Sequence, residues 1–200
     1  KSEIIEHPSY VNELAHYIMQ DLKEFRKIQG DDTLGGMVIC ETSEQARRLY
    51  DVFQEEWQKY QPKPIKIKLP DGTFVVGEPE VDYKSKYRPL KAGIILHDTD
   101  DKETRKQTVK DFKKNMTVDI LIVFNMLLTG FDAPRLKRLY FGRKLKDHNL
   151  LQAITRVNRP YPGMRYGFVI DFADIKRNFK ETNEAYLQEL NRFNDVEETG

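Results

Sequence analysis

The sequence predicts an α/β fold in which a parallel β-sheet is covered by helices on both faces. Two observations support this prediction. Short apolar segments alternate with longer amphipathic ones, which is the pattern of strands joined by crossover helices. The strand candidates are also apolar at nearly every position, as in residues 119–124 (DILIVF), and strands buried on both faces have this composition.

The first elements are a helix, a strand and a second helix. Residues 8–28 have helical periodicity, and residues 37–40 (MVIC) form a short buried strand. The second helix begins with Thr42 or Ser43 as a plausible N-cap. The apolar stripes of the two helices are Val11, Leu14, Ile18, Leu22 and Phe25 in the first, and Ala46, Leu49, Val52 and Phe53 in the second.

An irregular insertion separates these elements from the rest of the sheet. Residues 61–90 are rich in proline and contain the turn pair Asp71-Gly72, which favours a small hairpin within IKIKLPDGTFVV. Further strands are predicted at residues 92–96, 119–124, 138–141 and 167–172. Further helices are predicted at residues 100–115, 148–159 and 180–193.

The composition is that of a globular protein and excludes several other classes. Hydrophobic residues make up 39% and charged residues 32% of the chain. The longest apolar run, residues 120–124, is far shorter than the ~20 residues of a membrane span. The first residues lack a signal-peptide pattern, and the single Cys40 is typical of a reducing cytoplasm, so a cytoplasmic location is expected. No His/Cys cluster has metal-ligand spacing, so no metal site is expected.

Charge is distributed unevenly, although the formal net charge is only +1. Residues 135–165, here called the basic window, contain nine basic residues and the single acid Asp147. Such asymmetry favours a polyanionic partner near the window, and a solvated basic surface is the alternative. The nine basic residues are Arg135, Lys137, Arg138, Arg143, Lys144, Lys146, Arg156, Arg159 and Arg165.

One loop is a candidate for ligand contact. The chain contains neither GxxxxGK[ST] nor GxGxxG, so it does not supply a phosphate-binding loop. Ligands of parallel sheets bind outside the carboxyl ends of the strands, so the segments that leave those ends are candidates. In LLTGFDAPRL (residues 127–136), Gly130 permits a turn or a close approach, and Pro134 prevents a helix. Asp132 could bind ribose hydroxyls or orient water, and an Asx-turn is the alternative.

A second candidate is the helix that contains QAITRVNRP (residues 152–160). Gln152, Arg156 and Arg159 fall on one helical face because they are spaced by four and then three positions. Two arginines on one face can converge on a phosphoryl group, and ordinary surface arginines are the alternative. Pro160 is expected to end the helix so that Arg159 projects from its last turn. The opposite, apolar face contains Leu150, Ile154 and Val157.

Together these motifs resemble those of superfamily 2 helicases and translocases. VFNMLLTGFDAP resembles motif V, and QAITRVNR resembles motif VI. HDTDDKETRKQTVKDF resembles the segment between motifs IV and V, with His97, Arg105 and Phe112 in register. The sequence LLTGFDAPRLKRLYF…NLLQAITRVNR is most similar to the restriction (R) subunit of type I restriction enzymes. The resemblance covers residues 35–172 apart from the insertion.

The resemblance implies a RecA-like helicase C-terminal lobe, the second of two motor lobes, at residues 35–172. Residues 1–34 would be an N-terminal linker helix, and residues 173–200 a C-terminal helix and tail. The first motor lobe would lie outside this chain and carry the phosphate loop and the magnesium-binding acid. ATP and Mg²⁺ are therefore expected in the full-length subunit, with neither bound tightly here.

The resemblance also assigns roles to individual residues. Arg156 and Arg159 would be catalytic, and the ATP-binding residues would be Gly130, Asp132 and Gln152. The residues expected to contact DNA are Thr42, Ser43, His97 and Thr129. The sequence departs from the family where Phe124 replaces a threonine at the end of the motif V strand, and where Thr155 replaces Gly or Ala before the first arginine.

The function implied is ATP-driven translocation along double-stranded DNA within a type I site-specific deoxyribonuclease. The expected partners are the first motor lobe and the nuclease domain of the same subunit, together with methylation and specificity subunits. The 200-residue chain alone is expected to be inactive. Two alternatives remain: a motor lobe of another superfamily 2 DNA helicase, or a non-catalytic RecA-like module that binds nucleic acid.

Overall fold

The computed structural model describes residues 2–61, 65–77, 88–96, 101–124, 131–143 and 147–172. The strands in these ranges are β1 (Gly35–Ile39), β2 (Ile65–Lys68), β3 (Phe74–Gly77), β4 (Ala92–Ile95), β5 (Ile120–Val123), β6 (Leu136–Phe141) and β7 (Phe168–Asp171). The α-helices are α1 (Ser2–Ile5), α2 (Pro8–Gln29), α3 (Ser43–Lys59), α4 (Lys102–Lys110) and α5 (Asp147–Val157). The predicted helix at residues 180–193 lies outside the described residues.

Five of the described strands form one parallel sheet in the order β4-β5-β1-β6-β7. At the centre, Val38 pairs with Ile122 on one side and with Tyr140 on the other. Every residue of β1 and β5 is buried, as the near-continuous apolar composition of a strand covered on both faces predicts. The predicted parallel sheet is therefore confirmed.

Helices α2 and α3 cover one face of this sheet. The apolar stripe of α2 belongs to the same core as β1, although the sequence analysis placed this helix outside the lobe. Thr42 caps α3 by accepting a hydrogen bond from the backbone N–H of Gln45. The core on this face includes Leu14, Ile18, Leu22, Val38, Leu49, Phe53, Ile120, Ile122 and Tyr140.

Helices α4 and α5 cover the other face. Asp101 begins α4 by accepting hydrogen bonds from two backbone N–H groups of its first turn. The helix continues into a π-helical turn, Asp111–Asn115, which carries the fully buried Phe112. The core on this face includes Met37, Ile39, Phe112, Leu121, Val123, Phe131, Leu139, Phe141, Leu150, Ala153 and Val157. Helices on both faces, as predicted, are thus confirmed.

The insertion contains the predicted hairpin, formed by β2 and β3 as a separate two-stranded sheet. Its turn is closed by Asp71, whose carboxylate accepts a hydrogen bond from the backbone N–H of Thr73 at 2.9 Å. Gly72 has a φ of 86°, a left-handed conformation that glycine adopts without a steric penalty. The hairpin predicted from the Asp71-Gly72 pair is therefore confirmed.

A buried ion pair and several hydrogen bonds fix the amino ends of the central strands. Arg26 of α2 lies 2.8 Å from Asp119, which directly precedes β5, and both side chains are almost fully buried. Arg135 precedes β6 and donates to the carbonyls of Thr33, Phe112 and Val118. Burial lowers the pKa of Arg135 to about 10, and the neighbouring Arg26 adds to the effect. None of the described helices has the length and apolar character of a membrane span.

Candidate functional site

Helix α5 presents two different sides, as its sequence spacing predicts. Leu150, Ala153 and Val157 are at most 2% exposed and pack under the helix. Gln152 and Arg156 are half-buried at the margin of the opposite side. The predicted apolar face is confirmed at Leu150 and Val157. Ile154 is only half-buried, and Ala153, which the sequence analysis did not name, takes the central position.

The end of α5 differs from the prediction. The helix ends at Val157, so Arg159 lies in a bend beyond it rather than in its last turn. The reason is local, because a residue that precedes a proline is disfavoured in the helical conformation and Arg159 directly precedes Pro160. Side-chain hydrogen bonds then replace helical ones at this terminus. Lys137 of β6 donates through Nζ to the carbonyl of Val157 at 3.4 Å and also to the carbonyl of Arg159.

The loop before β6 lies against this helix terminus. Asp132 Oδ1 is 3.7 Å from Arg159 Nε, and the two side chains are 55% and 47% exposed. One loop residue earlier, the carbonyl of Phe131 accepts a hydrogen bond from Arg156 Nη1 at 2.8 Å. Of the residues predicted to form the ATP site, the structure thus brings together Asp132, Arg156 and Arg159. Gly130 lies outside the described residues.

The position of this cluster differs from the expectation that ligand contacts lie beyond the carboxyl ends of the strands. Lys137, which contacts the Arg159 segment, is the second residue of β6. Gly167, which abuts Val157, directly precedes β7. The cluster therefore lies beside the amino ends of β6 and β7, on the face covered by α5. The cause is the route of the chain, since residues 131–135 lead into the amino end of β6.

Comparisons with known proteins connect this geometry to a family. Residues 81–174 match the family described as type I restriction enzyme subunit R domain 3. A protein from Methanocaldococcus jannaschii, named as a type I restriction enzyme endonuclease subunit, is 31% identical over an alignment of 196 residues, and the match covers 92% of this chain. The type I restriction enzyme SauCOLORF180P endonuclease subunit of Staphylococcus aureus is 39% identical over 92 residues, or 46% of this chain.

The chain belongs to the R-subunit family of type I restriction enzymes. It spans only part of these relatives, since the matched regions are 18% of the M. jannaschii protein and 10% of the S. aureus protein. The five-stranded parallel sheet with helices on both faces has the fold of a helicase C-terminal, RecA-like lobe. DEAD-box helicase domain 2 of Mss116p, solved bound to an RNA duplex, superimposes with a TM-score of 0.51 at 15% identity, covering 83% of this chain and 50% of that one.

Of the residues of this R-subunit lobe that were expected to contact DNA, Thr42 and Ser43 are described, and they lie elsewhere in the fold. Thr42 and Ser43 follow the carboxyl end of β1, at the opposite end of the sheet from Arg159. The Thr42 hydroxyl accepts from the backbone N–H of Gln45 at 3.0 Å and donates to Glu6 Oε1 at 2.8 Å. It therefore has two partners within the protein. His97 and Thr129 lie outside the described residues.

The basic window of this R-subunit lobe does not form one continuous surface. Arg135 and Lys137 are at most 2% exposed. Arg138 donates two hydrogen bonds to the carboxylate of Asp21, at 2.8 Å and 2.6 Å. Three of the nine basic residues thus form hydrogen bonds within the protein. Their long side chains reach carbonyl groups and a carboxylate beside the sheet. Lys144 and Lys146 lie outside the described residues.

The structural role of Lys137 is the main feature that the sequence analysis missed. The alternation of side chains along β6 could have predicted this role. Side chains alternate between the two faces of a strand, so Lys137 shares a face with Leu139 and Phe141. Both of these pack under α5, where Lys137 is fully buried. Burial lowers the pKa of Lys137, although carbonyl groups at the end of α5 accept its hydrogen bonds.

Proposed function

We propose that this chain is the second motor lobe of an ATP-dependent DNA translocase within a type I restriction R subunit. The observation that carries the proposal is the approach of Asp132 to Arg159 at 3.7 Å, with both side chains about half exposed. A carboxylate of motif V and a guanidinium of motif VI thus share one open surface. Such a surface is suited to complete an ATP site when the first motor lobe closes against it.

In this proposal the two arginines act on the phosphates. The guanidinium of Arg159 would offset charge that develops on the transferring phosphoryl group, because its planar fork matches phosphate oxygens. Arg156 would act beside it, and its hydrogen bond to the carbonyl of Phe131 keeps the motif V loop in register with α5. Asp132, with Gly130 and Gln152, would bind the nucleotide.

The remaining parts of the ATP site would come from the first motor lobe. ATP and Mg²⁺ would bind in the full-length subunit, and this lobe alone would hold neither tightly. Among the described residues, no group of three or more His, Cys, Asp or Glu side chains could hold a metal ion. A nuclease domain of the same subunit would cut DNA, methylation and specificity subunits would complete the enzyme, and the whole would act in the cytoplasm.

Double-stranded DNA would be the track. The N-terminus of α3, at Thr42 and Ser43, offers backbone N–H groups that attract phosphate. The Thr42 hydroxyl is engaged within the protein, so a contact here would rely on the backbone rather than on that hydroxyl. His97 and Thr129 would make the remaining contacts.

The test is DNA-stimulated ATP turnover in the full-length R subunit with its partner subunits. Arg159→Ala should lower turnover by roughly 10³–10⁵, the contribution of an arginine finger. Arg159→Lys should rescue poorly because lysine lacks the planar fork. Arg165→Ala is the matched control, since Arg165 is an exposed arginine in the loop that follows α5.

The outcome also separates the alternatives. Near wild-type turnover in Arg159→Ala would contradict the proposal and favour a non-catalytic lobe. The 200-residue chain alone should show no magnesium-dependent, DNA-stimulated turnover, because the sequence lacks a phosphate-binding loop. Measurable turnover by that chain would contradict the division of the ATP site between two lobes.

A further inference from the structure

The segment that carries Arg159 lies outside regular secondary structure but is anchored on both sides. Residues 157–161, here called the Arg159 segment, begin at the last residue of α5 and end at Tyr161. Before Arg159, the ammonium group of Lys137 donates to the carbonyl of Val157 and to that of Arg159 itself. After Arg159, the hydroxyl of Tyr161 lies 2.7 Å from the hydroxyl of Thr33.

Lys137 occupies a position where an apolar side chain would be expected. It is fully buried on the face of β6 that holds Leu139 and Phe141. A buried ammonium group is unfavourable unless hydrogen-bond acceptors compensate it. The acceptors here are the carbonyl of Val157, at the carboxyl end of α5 where the helix dipole also favours a positive charge, and the carbonyl of Arg159 just beyond it. In place of the apolar packing of a hydrophobic side chain, the lysine therefore makes hydrogen bonds that hold the Arg159 segment.

The second anchor connects the Arg159 segment to the loop before β1. The Thr33 hydroxyl donates its single hydrogen to Asp31 Oδ1 at 2.6 Å, so the Tyr161 hydroxyl is the donor in their shared bond. The carbonyl of Thr33 in turn accepts from the buried Arg135 at 2.6 Å. Reciprocal backbone bonds between Tyr161 and Met164 close the turn that follows. The segment is thus tied to the buried amino edge of the sheet.

We infer that Lys137 and Tyr161 are positioning residues that hold Arg159 in place for the ATP site. This inference rests on the proposed function, because it assigns their effect to the guanidinium of Arg159. Neither residue needs to touch the nucleotide. Lys137 fixes the backbone carbonyl of Arg159, and Tyr161 fixes the chain two residues later, so the side chain projects from a backbone held on both sides.

The first measurement is steady-state ATP turnover in the full-length R subunit with its partner subunits and DNA. Lys137→Met keeps a long side chain but removes the ammonium group, and kcat should fall about 10²-fold, the effect of an ~1 Å misplacement of a reacting group. Tyr161→Phe removes one hydroxyl and should lower kcat by up to about tenfold. KM for ATP should change little in both variants. Tyr166→Phe is the matched control, because Tyr166 is 67% exposed in the same loop.

The decisive measurement combines these changes with Arg159→Ala. If Lys137 and Tyr161 act through Arg159, adding either substitution to Arg159→Ala should cause no further loss of turnover. An equal further loss in the Arg159→Ala background would overturn the inference in favour of a general structural role. If Lys137→Met does not fold, Tyr161→Phe alone decides, and wild-type kcat in that variant would overturn the inference.

The proposed function and the positioning roles of Lys137 and Tyr161 are contradicted by different results. Wild-type turnover in Arg159→Ala overturns the proposed function, and the positioning inference with it. Strongly reduced turnover in Arg159→Ala, together with wild-type turnover in both Lys137→Met and Tyr161→Phe, overturns only the positioning inference.

Discussion

Arg156 and Arg159 belong to one motif, but their surroundings give them different weights for stability. Arg159 is 47% exposed, and its ion pair with Asp132 spans 3.7 Å between exposed groups. Exposed ion pairs of this kind contribute little to the free energy of unfolding. Arg156 is half-buried and donates to the carbonyl of Phe131 at 2.8 Å. The sequence alone suggests two equivalent surface cations, whereas in the structure the Arg156 guanidinium donates to a backbone carbonyl and the Arg159 guanidinium forms an exposed ion pair.

Arg156→Ala is therefore expected to lower both ATP turnover and the free energy of unfolding. The stability loss should be about 1.5–3 kcal/mol, typical of a hydrogen bond from a charged group. Arg159→Ala should change stability by no more than about 0.5 kcal/mol, as for most exposed positions. Urea unfolding of the 200-residue chain measures both values. Equal losses in the two variants would contradict the assignment of a structural bond to Arg156.

Asp21 contributes to the free energy of unfolding in a way that depends on pH. Burial alone would raise the pKa of Asp21, but hydrogen bonds from Arg138 and Tyr140 hold it below the usual 3.8. A carboxylate whose pKa is depressed in the folded state stabilises the fold above its unfolded pKa, and this stabilisation is lost as pH falls through the folded pKa. Asp21→Asn should cost about 2 kcal/mol of unfolding free energy at pH 7, and the difference from wild type should shrink below pH 4.

Urea unfolding at pH 7 and pH 3 measures this change. Glu44→Gln is the control, because Glu44 forms an exposed helical ion pair with Arg48 at 2.7 Å and should contribute at most about 0.5 kcal/mol. A difference between Asp21→Asn and wild type that is constant across this pH range would exclude ionisation as its origin.

Individual side chains could be predicted from sequence where a local pattern decided them. The face of α5 followed from spacing, and Asp132 and Arg159 followed from their motifs. Arg138 could not be predicted as an internal residue, because its partner Asp21 is distant in sequence and lies on α2. Counting charges along residues 135–165 treats every cation as solvent-exposed, and tertiary contacts decide which ones are.

At the scale of elements, the strands and helices were predicted better than their ends. The hairpin followed from Asp71-Gly72, and the strands from their apolar runs. The end of α5 was placed two residues late, since Pro160 restricts Arg159 before the proline itself is reached. The π-helical turn at Asp111–Asn115 was not predicted, because the apolar spacing that indicates a helix does not distinguish a π-helical turn from a continued α-helix.

A substitution at Gly167 can test how closely α5 and β7 approach each other. A Cβ at this position would collide with the carbonyl and Cβ of Val157. Gly167→Ala should therefore push β7 away from α5 and cost about 1–3 kcal/mol of unfolding free energy, as overpacking typically does. Because backbone atoms form the obstacle, a rotamer change cannot relieve the collision.

Gly30→Ala is the comparison for this substitution. Gly30 has a φ of 66° and no atom near the added methyl group, so only backbone strain is introduced. The two variants should differ in the hydrogen exchange of the β7 amides. We expect these amides to be protected from exchange in the wild type, to lose this protection in Gly167→Ala and to keep it in Gly30→Ala. Retained protection in both variants would contradict a collision at Val157.

At the scale of the whole molecule, the parallel sheet was predictable and the strand order was not. Apolar composition indicates burial on both faces, but the order β4-β5-β1-β6-β7 depends on contacts between distant segments. The position of the candidate cluster relative to the strand ends depends in the same way on the path of the chain. The general rule places ligands at the carboxyl ends of strands, whereas the loop containing Asp132 has returned towards the amino end of β6.

The arrangement of charge leads to a prediction for DNA binding by the 200-residue chain. Binding should be weak and independent of sequence, because phosphate contacts carry no sequence information. With Arg135 and Lys137 buried and Arg138 paired to Asp21, at most six of the nine basic residues in the window can reach phosphates. The slope of log K against log salt concentration should therefore be no steeper than about −5, rather than the about −8 expected if all nine contributed.

Two single substitutions sharpen this prediction. Arg165→Ala removes an exposed cation of the window and should reduce the magnitude of the slope by about 1. Lys27→Ala removes a cation outside the window, whose side chain is 79% exposed on α2, and should leave the slope unchanged. Fluorescence anisotropy with duplexes of unrelated sequence, between 50 and 200 mM salt, is a suitable measurement because the slope is steep in roughly this range. A slope near −8, or equal effects of the two substitutions, would show that DNA contacts a different surface from the exposed part of the basic window.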